Sequence, residues 1–169
     1  MNSKLIDYFF GEYRFLSNFY IGEHIQYKGM IAKTVEHLFQ ASKYEDEEHR
    51  NLVLEALLPK EAKSLGNKFK CRKDWDDIKY DIMLELVRLK FKDTNLKVRL
   101  YNTGDAVLIE GNYWHDNIWG RCTCDKCKDK HGTNWLGKIL MSVRFDISLT
   151  KEEEQLAEWI KNHDNSLRN

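Results

Sequence analysis

The chain is poor in residues that interrupt secondary structure. One proline and nine glycines among 169 residues exclude a collagenous or low-complexity polypeptide. An excess of one charge is missing too: 27 Lys and Arg face 27 Asp and Glu, and the formal net charge is zero. A protein that coats nucleic acid needs surplus cations against phosphate, so no extended nucleic-acid surface is expected, while a local basic pocket stays compatible. No apolar run approaches the ~20 residues of a membrane span, which predicts a soluble chain. Met1 to Phe10 lacks the basic start, apolar block and small-residue cleavage site of a secretory signal, which predicts a cytoplasmic location. The length suits one domain with a real core, spanning 1–169.

Cysteine is scarce but clustered. Three of four fall within Cys122-Thr-Cys124-Asp-Lys-Cys127, and Cys71 stands apart. A disulfide framework spreads its cysteines along the chain, whereas a tight trio without an export signal points to a metal. Zinc takes four tetrahedral ligands in structural sites. His131 supplies the fourth in the pattern C-x-C-x₂-C-x₃-H, His115 is the alternative, and Cys71 is more remote. The competing reading is a metal-free thiol loop. No organic cofactor is expected.

Leu5 to Phe10 and Ile25 to Ala32 read as strands, the second folding tightly about Lys28-Gly29. Thr34 suits the N-cap of a helix whose Val35, Leu38, Phe39 and Ser42 keep core-facing spacing. A second helix carries Leu52, Val53, Ala56 and Leu57, and Pro59 starts a third that ends at Gly66. The longest runs from Trp75 to about Lys92, capped by Asp74, with Ile78, Ile82, Leu86 and Leu89 on its apolar face. Leu96 to Asn102 forms a short helix closed by Gly104, and Val107 to Ile109 a short buried strand. Gly111 to Thr133 has little periodicity and is too long for an idle connection. Leu136, Ile139, Leu140 and Val143 mark another core helix. Thr150 and Glu153 form a capping box for a terminal helix over 150–163 carrying Leu156, Trp159 and Ile160. The fold class is a helix-dominated α+β single domain with a small antiparallel β element.

Three segments carry more polar specificity than packing needs. The loop Arg14 to Tyr20 mixes aromatics with Ser17 and Asn18. On the first helix, Glu36, Gln40 and Lys43 lie at i, i+4 and i+7 and share one stripe. The stretch Glu110 to Gly120 is followed, after the cysteine loop, by Asn134 to Lys138. Each has a plainer reading. The stripe suits a solvated surface, Ser17 and Asn18 suit a turn, Trp114 and Trp119 suit a core, and Asn134 suits a helix cap.

In order, S-N-F-Y (Ser17 to Tyr20), T-V-E-H-x-x-Q-A-x-K (Thr34 to Lys43), T-G-D-x-x-L-x-E (Thr103 to Glu110), D-N-x-W-G (Asp116 to Gly120) and N-x-L-G-K-x-L-M-x-V-R (Asn134 to Arg144) resemble the NADAR superfamily of YbiA-like N-glycosidases. Pro59-x-x-Ala62-Lys63-x-x-Gly66 fits as well. The likeness runs over a core of about 8–147, and the cysteine loop at 121–133 is an insertion relative to shorter members.

The resemblance implies hydrolysis of the C–N bond between a phosphorylated ribose and a base-like group. Substrates of that kind are an early riboflavin-pathway intermediate or ADP-ribosylated guanine. Cleavage builds positive charge on the sugar, which a nearby carboxylate stabilises, and a carboxylate can also deprotonate the attacking water. Glu36 is the expected catalytic carboxylate, Asp116 positions water or ribose hydroxyls, and Glu110 is the reserve. Trp119, with Tyr20 and Trp114, offers faces for the base, and Ser17, Asn18 and Gly120 line the site. Arg14, Lys43, Lys138 and the helix N-terminus at Asn134 suit phosphate. Two other classes remain open from sequence: a module that binds ADP-ribose or a nucleotide without cleaving it, and a zinc-stapled interaction protein.

Overall fold

The structure, a computed structural model, describes residues 4–127 and 129–164. Position 128 of the cysteine loop and the ends of the 1–169 span lie outside the described residues. In chain order the first elements are β1 (Leu5–Ile6), a 3₁₀ helix (Gly11–Leu16), β2 (Ile25–Tyr27), β3 (Met30–Ala32), α1 (Val35–Ala41), α2 (Glu47–Leu54), α3 (Pro59–Leu65) and α4 (Trp75–Lys90). Then follow α5 (Thr94–Tyr101), β4 (Val107–Leu108), β5 (Gly111–Asn112), β6 (Arg121–Cys122), α6 (Trp135–Phe145) and α7 (Lys151–Asp164). The fold is α+β and rich in helix. Backbone contacts divide it into two compact units, a central one over Leu16–Lys90 and a discontinuous one from the described residues on either side.

In the central unit β2 and β3 pair antiparallel, Tyr27 opposite Met30, across a turn with Lys28 and Gly29 at φ 47° and 80°. Both residues are left-handed, the requirement of a two-residue turn that follows strand twist. Helix α1 then starts where Thr34 Oγ1 accepts from the His37 N–H, as its N-cap role predicts. All seven residues of α1 are buried, packed by α2, α3 and α4. Phe39 meets Trp75 at 5.0 Å between ring centres, and Leu38, Met83, Leu86 and Val53 are almost sealed from solvent. Each such side chain contributes roughly 1.5–3 kcal/mol by leaving water. Two expectations need correction. Helix α2 ends at Leu54 and buries only Val53, leaving Leu57 88% exposed, because Pro59 resets the chain and α3 supplies the cover instead. Asp74 does not cap α4 with its side chain, because Arg72 takes both carboxylate oxygens at 2.6 and 2.8 Å.

In the discontinuous unit β1 and β4 pair in parallel, as do β5 and β6. The expected strand over Leu5 to Phe10 is therefore only Leu5–Ile6; the chain turns into the 3₁₀ helix, with Tyr13 N–H on Phe10 O. Ile6, Leu108, Leu136, Leu140 and Leu100 form its most buried side chains. Helix α7 opens on the capping box, Thr150 N–H on Glu153 Oε2 and Glu153 N–H on Thr150 Oγ1. Ala157 and Ile160 pack on Val98, while Trp159 faces solvent and stacks on His163 at 4.2 Å.

Candidate functional site

Two members of the stripe, Glu36 and Gln40, are buried on α1, while Lys43 lies past the helix end and is half-buried. Glu36 is 5% exposed, its N–H donates to Asn18 O at 3.1 Å, and its Oε1 accepts from Gln40 Nε2 at 2.8 Å. Lys43 Nζ donates to Gly66 O at 3.0 Å and Asn67 Oδ1 at 2.7 Å, where α3 ends. Burial pushes the Lys43 ammonium below the ordinary lysine value, with Glu36 opposing that shift. His37, between the charged pair in sequence, holds the helix: Nδ1 meets Thr34 Oγ1 at 2.6 Å and Nε2 meets Ala56 O at 3.0 Å. A carbonyl partner makes Nε2 the protonated nitrogen, so Nδ1 accepts from the hydroxyl.

The 17–20 loop is built into the same unit. Ser17 Oγ accepts from Phe19 N–H, the turn role sequence allowed. Asn18 Nδ2 points at Met83 Sδ at 3.3 Å, and its Oδ1 is buried with no hydrogen-bond partner among the described residues. Lys90 is 5% exposed, donates from Nζ to Ser17 O at 2.8 Å and lies 5.6 Å from the Tyr20 ring centre. Sequence reading passed over Lys90. The available signal was its place four residues after Leu86 and eight after Ile82, on the apolar stripe of α4.

The candidates of the discontinuous unit form another network. Asp116 Oδ1 accepts from the N–H groups of Ile118 and Trp119 at 3.0 and 2.9 Å. Asn112, 2% exposed and also overlooked, brackets Asp116: Oδ1 accepts its N–H and Nδ2 donates to its carbonyl. Asn134 sits at φ 50° and caps no N–H with its side chain. Its amide instead ties two chain segments, Oδ1 accepting from Glu110 N–H and Nδ2 donating to Leu108 O. At that N-terminus the Trp135 and Leu136 N–H groups donate to Ile118 O and Trp119 O. Trp119 and Asp116 are partly exposed, Gly120 is buried, and Arg14, Trp114 and Lys138 are exposed; Lys138 Nζ covers the Trp135 ring at 5.0 Å. A cavity of about 170 Å³ bounded by Lys4, Glu12, Tyr13 and Arg99 includes none of these candidates.

The three clustered thiols do converge, and the fourth side chain beside them is His115. The ligand atoms of His115, Cys122, Cys124 and Cys127 all lie within 4.8 Å of one another. His115 Nδ1 is 3.2 Å from Cys124 Sγ and 3.3 Å from Cys127 Sγ. Tetrahedral ligands held at zinc distances stand about 3.5–3.8 Å apart, so the group fits with small adjustments. His131, the preferred donor from spacing, is exposed and outside the group. The reason is backbone: His115 is left-handed at φ 68° and turns its ring toward the thiols. Lys130 N–H donates to Cys127 O at 2.8 Å. Burial raises the Cys122 thiol, but hydrogen bonds from Cys124, His115 and Cys127 outweigh it and leave Cys122 below its ordinary range. Cys71 is exposed and lies in the central unit.

Comparison with known proteins matches this architecture. The NADAR domain model covers residues 8–148. N-glycosidase Npun_R5314 of Nostoc punctiforme is 40% identical over 132 residues, 75% of this chain and 80% of that protein. Riboflavin biosynthesis protein VVA0006 of Vibrio vulnificus is 37% identical over 136 residues, which span 79% of this chain and 35% of the relative. The NMR structure of the E. coli protein YbiA superposes with a TM-score of 0.69 at 27% identity, over 89% of this chain and 93% of that one. With the domain model and a curated relative agreeing over most of its length, the chain belongs to the NADAR domain family.

Proposed function

We propose that this enzyme hydrolyses the C–N bond between a phosphorylated ribose and a base-like group. N-glycosidase is the activity in the name of the Nostoc relative, riboflavin biosynthesis is in the name of the Vibrio one, and the ribose phosphate is the finer reading. The observation that carries it is Glu36: a carboxylate 5% exposed on an all-buried helix, held by a side-chain amide. Burying a charge is costly, and a surface stripe has no reason to incur it. Glu36 stabilises the cation that develops on the sugar and takes a proton from the attacking water. The water oxygen bonds to the anomeric carbon, the C–N bond breaks, and the proton passes to the departing nitrogen.

The remaining assignments attach to single residues. Asp116 orients water or ribose hydroxyls, with Glu110 in reserve. Tyr20 and Trp119 offer rings to the base, where stacking is worth ~1–3 kcal/mol. Arg14 and Lys138, both exposed cations, suit the phosphate, with Lys43 behind them because Gly66 and Asn67 already occupy its amine. The substrates to separate are an early riboflavin-pathway phosphoriboside and ADP-ribosylated guanine. Incubation with each, followed by mass spectrometry, is expected to show release of the base-like group, with ribose phosphate from the first or ADP-ribose from the second. Binding without product from either favours the non-catalytic reading.

A second reading concerns the thiols. We infer that His115, Cys122, Cys124 and Cys127 hold one structural Zn²⁺, closed to substrate and supplying no step of the reaction. Its chemistry is to fix the turn on which His115 precedes Asp116. Protein purified under reducing conditions should carry about one zinc per chain by elemental analysis. A metal-free, fully reduced preparation with an unchanged fold would defeat this inference.

A further inference from the structure

The motif ending at Gly66 has no role in the chemistry above, yet its last residue meets the α1 stripe. Gly66 closes α3 with φ −64°, an ordinary helical value, so no backbone conformation demands glycine there. Space does. A Cβ on Gly66 would overlap Gln40 Oε1 and stand 2.7 Å from Gln40 Cβ and 3.0 Å from its Cδ. Rotating the end of the Gln40 side chain cannot relieve the contact with Cβ; α1 and α3 themselves would have to part.

Gln40 is 4% exposed, and only half of its amide is used among the described residues. Nε2 donates to Glu36 Oε1, while Oε1 is buried with no hydrogen-bond partner. The working half of the amide is its N–H, which meets the Glu36 carboxylate at 2.8 Å. The carbonyl of Gly66 also accepts from Lys43 Nζ, so one glycine abuts both the second and third members of the stripe.

We propose that Gln40, wedged against Gly66, is a positioning residue that fixes the carboxylate plane of Glu36 for the reaction. The proposal rests on the reading of Glu36 given above. Donation to Oε1 sets the rotation of the carboxylate, and the missing Cβ of Gly66 keeps the donor in place. Orientation of a reacting group is where small displacements have large kinetic effects.

The test compares the parent, Glu36→Gln, Gln40→Leu, Gly66→Ala and the double variant Glu36→Gln/Gln40→Leu, with an early riboflavin-pathway phosphoriboside and ADP-ribosylated guanosine as probes. Gln40→Leu is expected to lower kcat ~10- to 100-fold through misorientation. KM should stay within about twofold, a split that a merely structural role would not produce. Gly66→Ala should lower kcat while leaving the Gln40 amide chemically intact. In the Glu36→Gln background, adding Gln40→Leu should change the residual rate less than about twofold, because both act through one carboxylate. Parental kcat in Gln40→Leu beside an impaired Glu36→Gln overturns this proposal alone, as does full additivity in the double variant. Parental activity in Glu36→Gln overturns it together with the Glu36 reading. If Gln40→Leu does not fold, Gln40→Met replaces it with the same expectations.

Discussion

Helix α1 and the cysteine loop are both dense in polar groups, but opposite means hold them. Around α1 the polar side chains ride on a helix buried along all seven residues, with Leu38, Phe39 and Val35 in the core beside them. Between Gly111 and Thr133 there is little apolar burial: Tyr113, Trp114 and Ile118 are 73%, 61% and 49% exposed. Order there comes from directed bonds, such as Asn112 to Asp116, Cys122 N–H to Asn117 Oδ1, and the convergence of His115 with three thiols. Non-directional burial tolerates small changes, whereas a directed network fails when one member is removed.

The largest expected effect tests the buried region. Glu36→Gln keeps the shape and removes the charge, and kcat/KM should fall ~10²–10⁴-fold, the usual worth of a general acid–base group. The comparison sharpens at the metal. His115→Ala should weaken zinc binding by more than the ~10–100-fold typical of outer-shell changes, while His131→Ala leaves it unchanged in a chelator competition. Hydrogen exchange offers a way to break the contrast. Zinc removal should speed exchange at Cys122, Thr123 and Cys127 amides and leave α1 amides untouched; equal acceleration in both would mean that the two regions share one cooperative support.

Smaller effects follow. Thr34→Ala removes the N-cap of α1 and should lower stability by about 1 kcal/mol in denaturant melts, with metal content unaltered. The smallest lies outside both regions. Hydrogen bonds from Lys97 at 2.7 and 2.9 Å hold the Glu153 carboxyl below its ordinary 4.5. A depressed carboxylate contributes stability above its unfolded value and loses it as pH falls through the folded one. Lys97→Met should therefore flatten the decline in melting temperature just below pH 4.5, and an unchanged slope would show that the ion pair is immaterial.

Much was legible in the chain because it rests on short-range physics. The cap at Thr34, the turn at Lys28-Gly29, the proline start of α3 and the Thr150–Glu153 box all involve residues within four positions of each other. The apolar quartet Leu136, Ile139, Leu140 and Val143 is buried as its spacing predicts. Misreadings came where neighbours decide. Asp74 has the chemistry of a cap but stands two residues from a competing Arg72. Trp159 has the spacing of a core residue at the edge of a helix whose contacts are already filled by Ala157 and Ile160. Asn134 resembles a cap and is a tie between Leu108 and Glu110, some 25 residues away.

The amino-acid order alone determined the helices, the turn and the grouping of thiols, since each follows from backbone propensity and apolar period within a few residues. Only the folded chain decided that Glu36 and Gln40 are buried, with Gln40 against Gly66, and that His115 rather than His131 joins the cysteines. Those outcomes depend on which distant segments exclude water together and on a left-handed residue turning a ring. Periodicity carries no information about either.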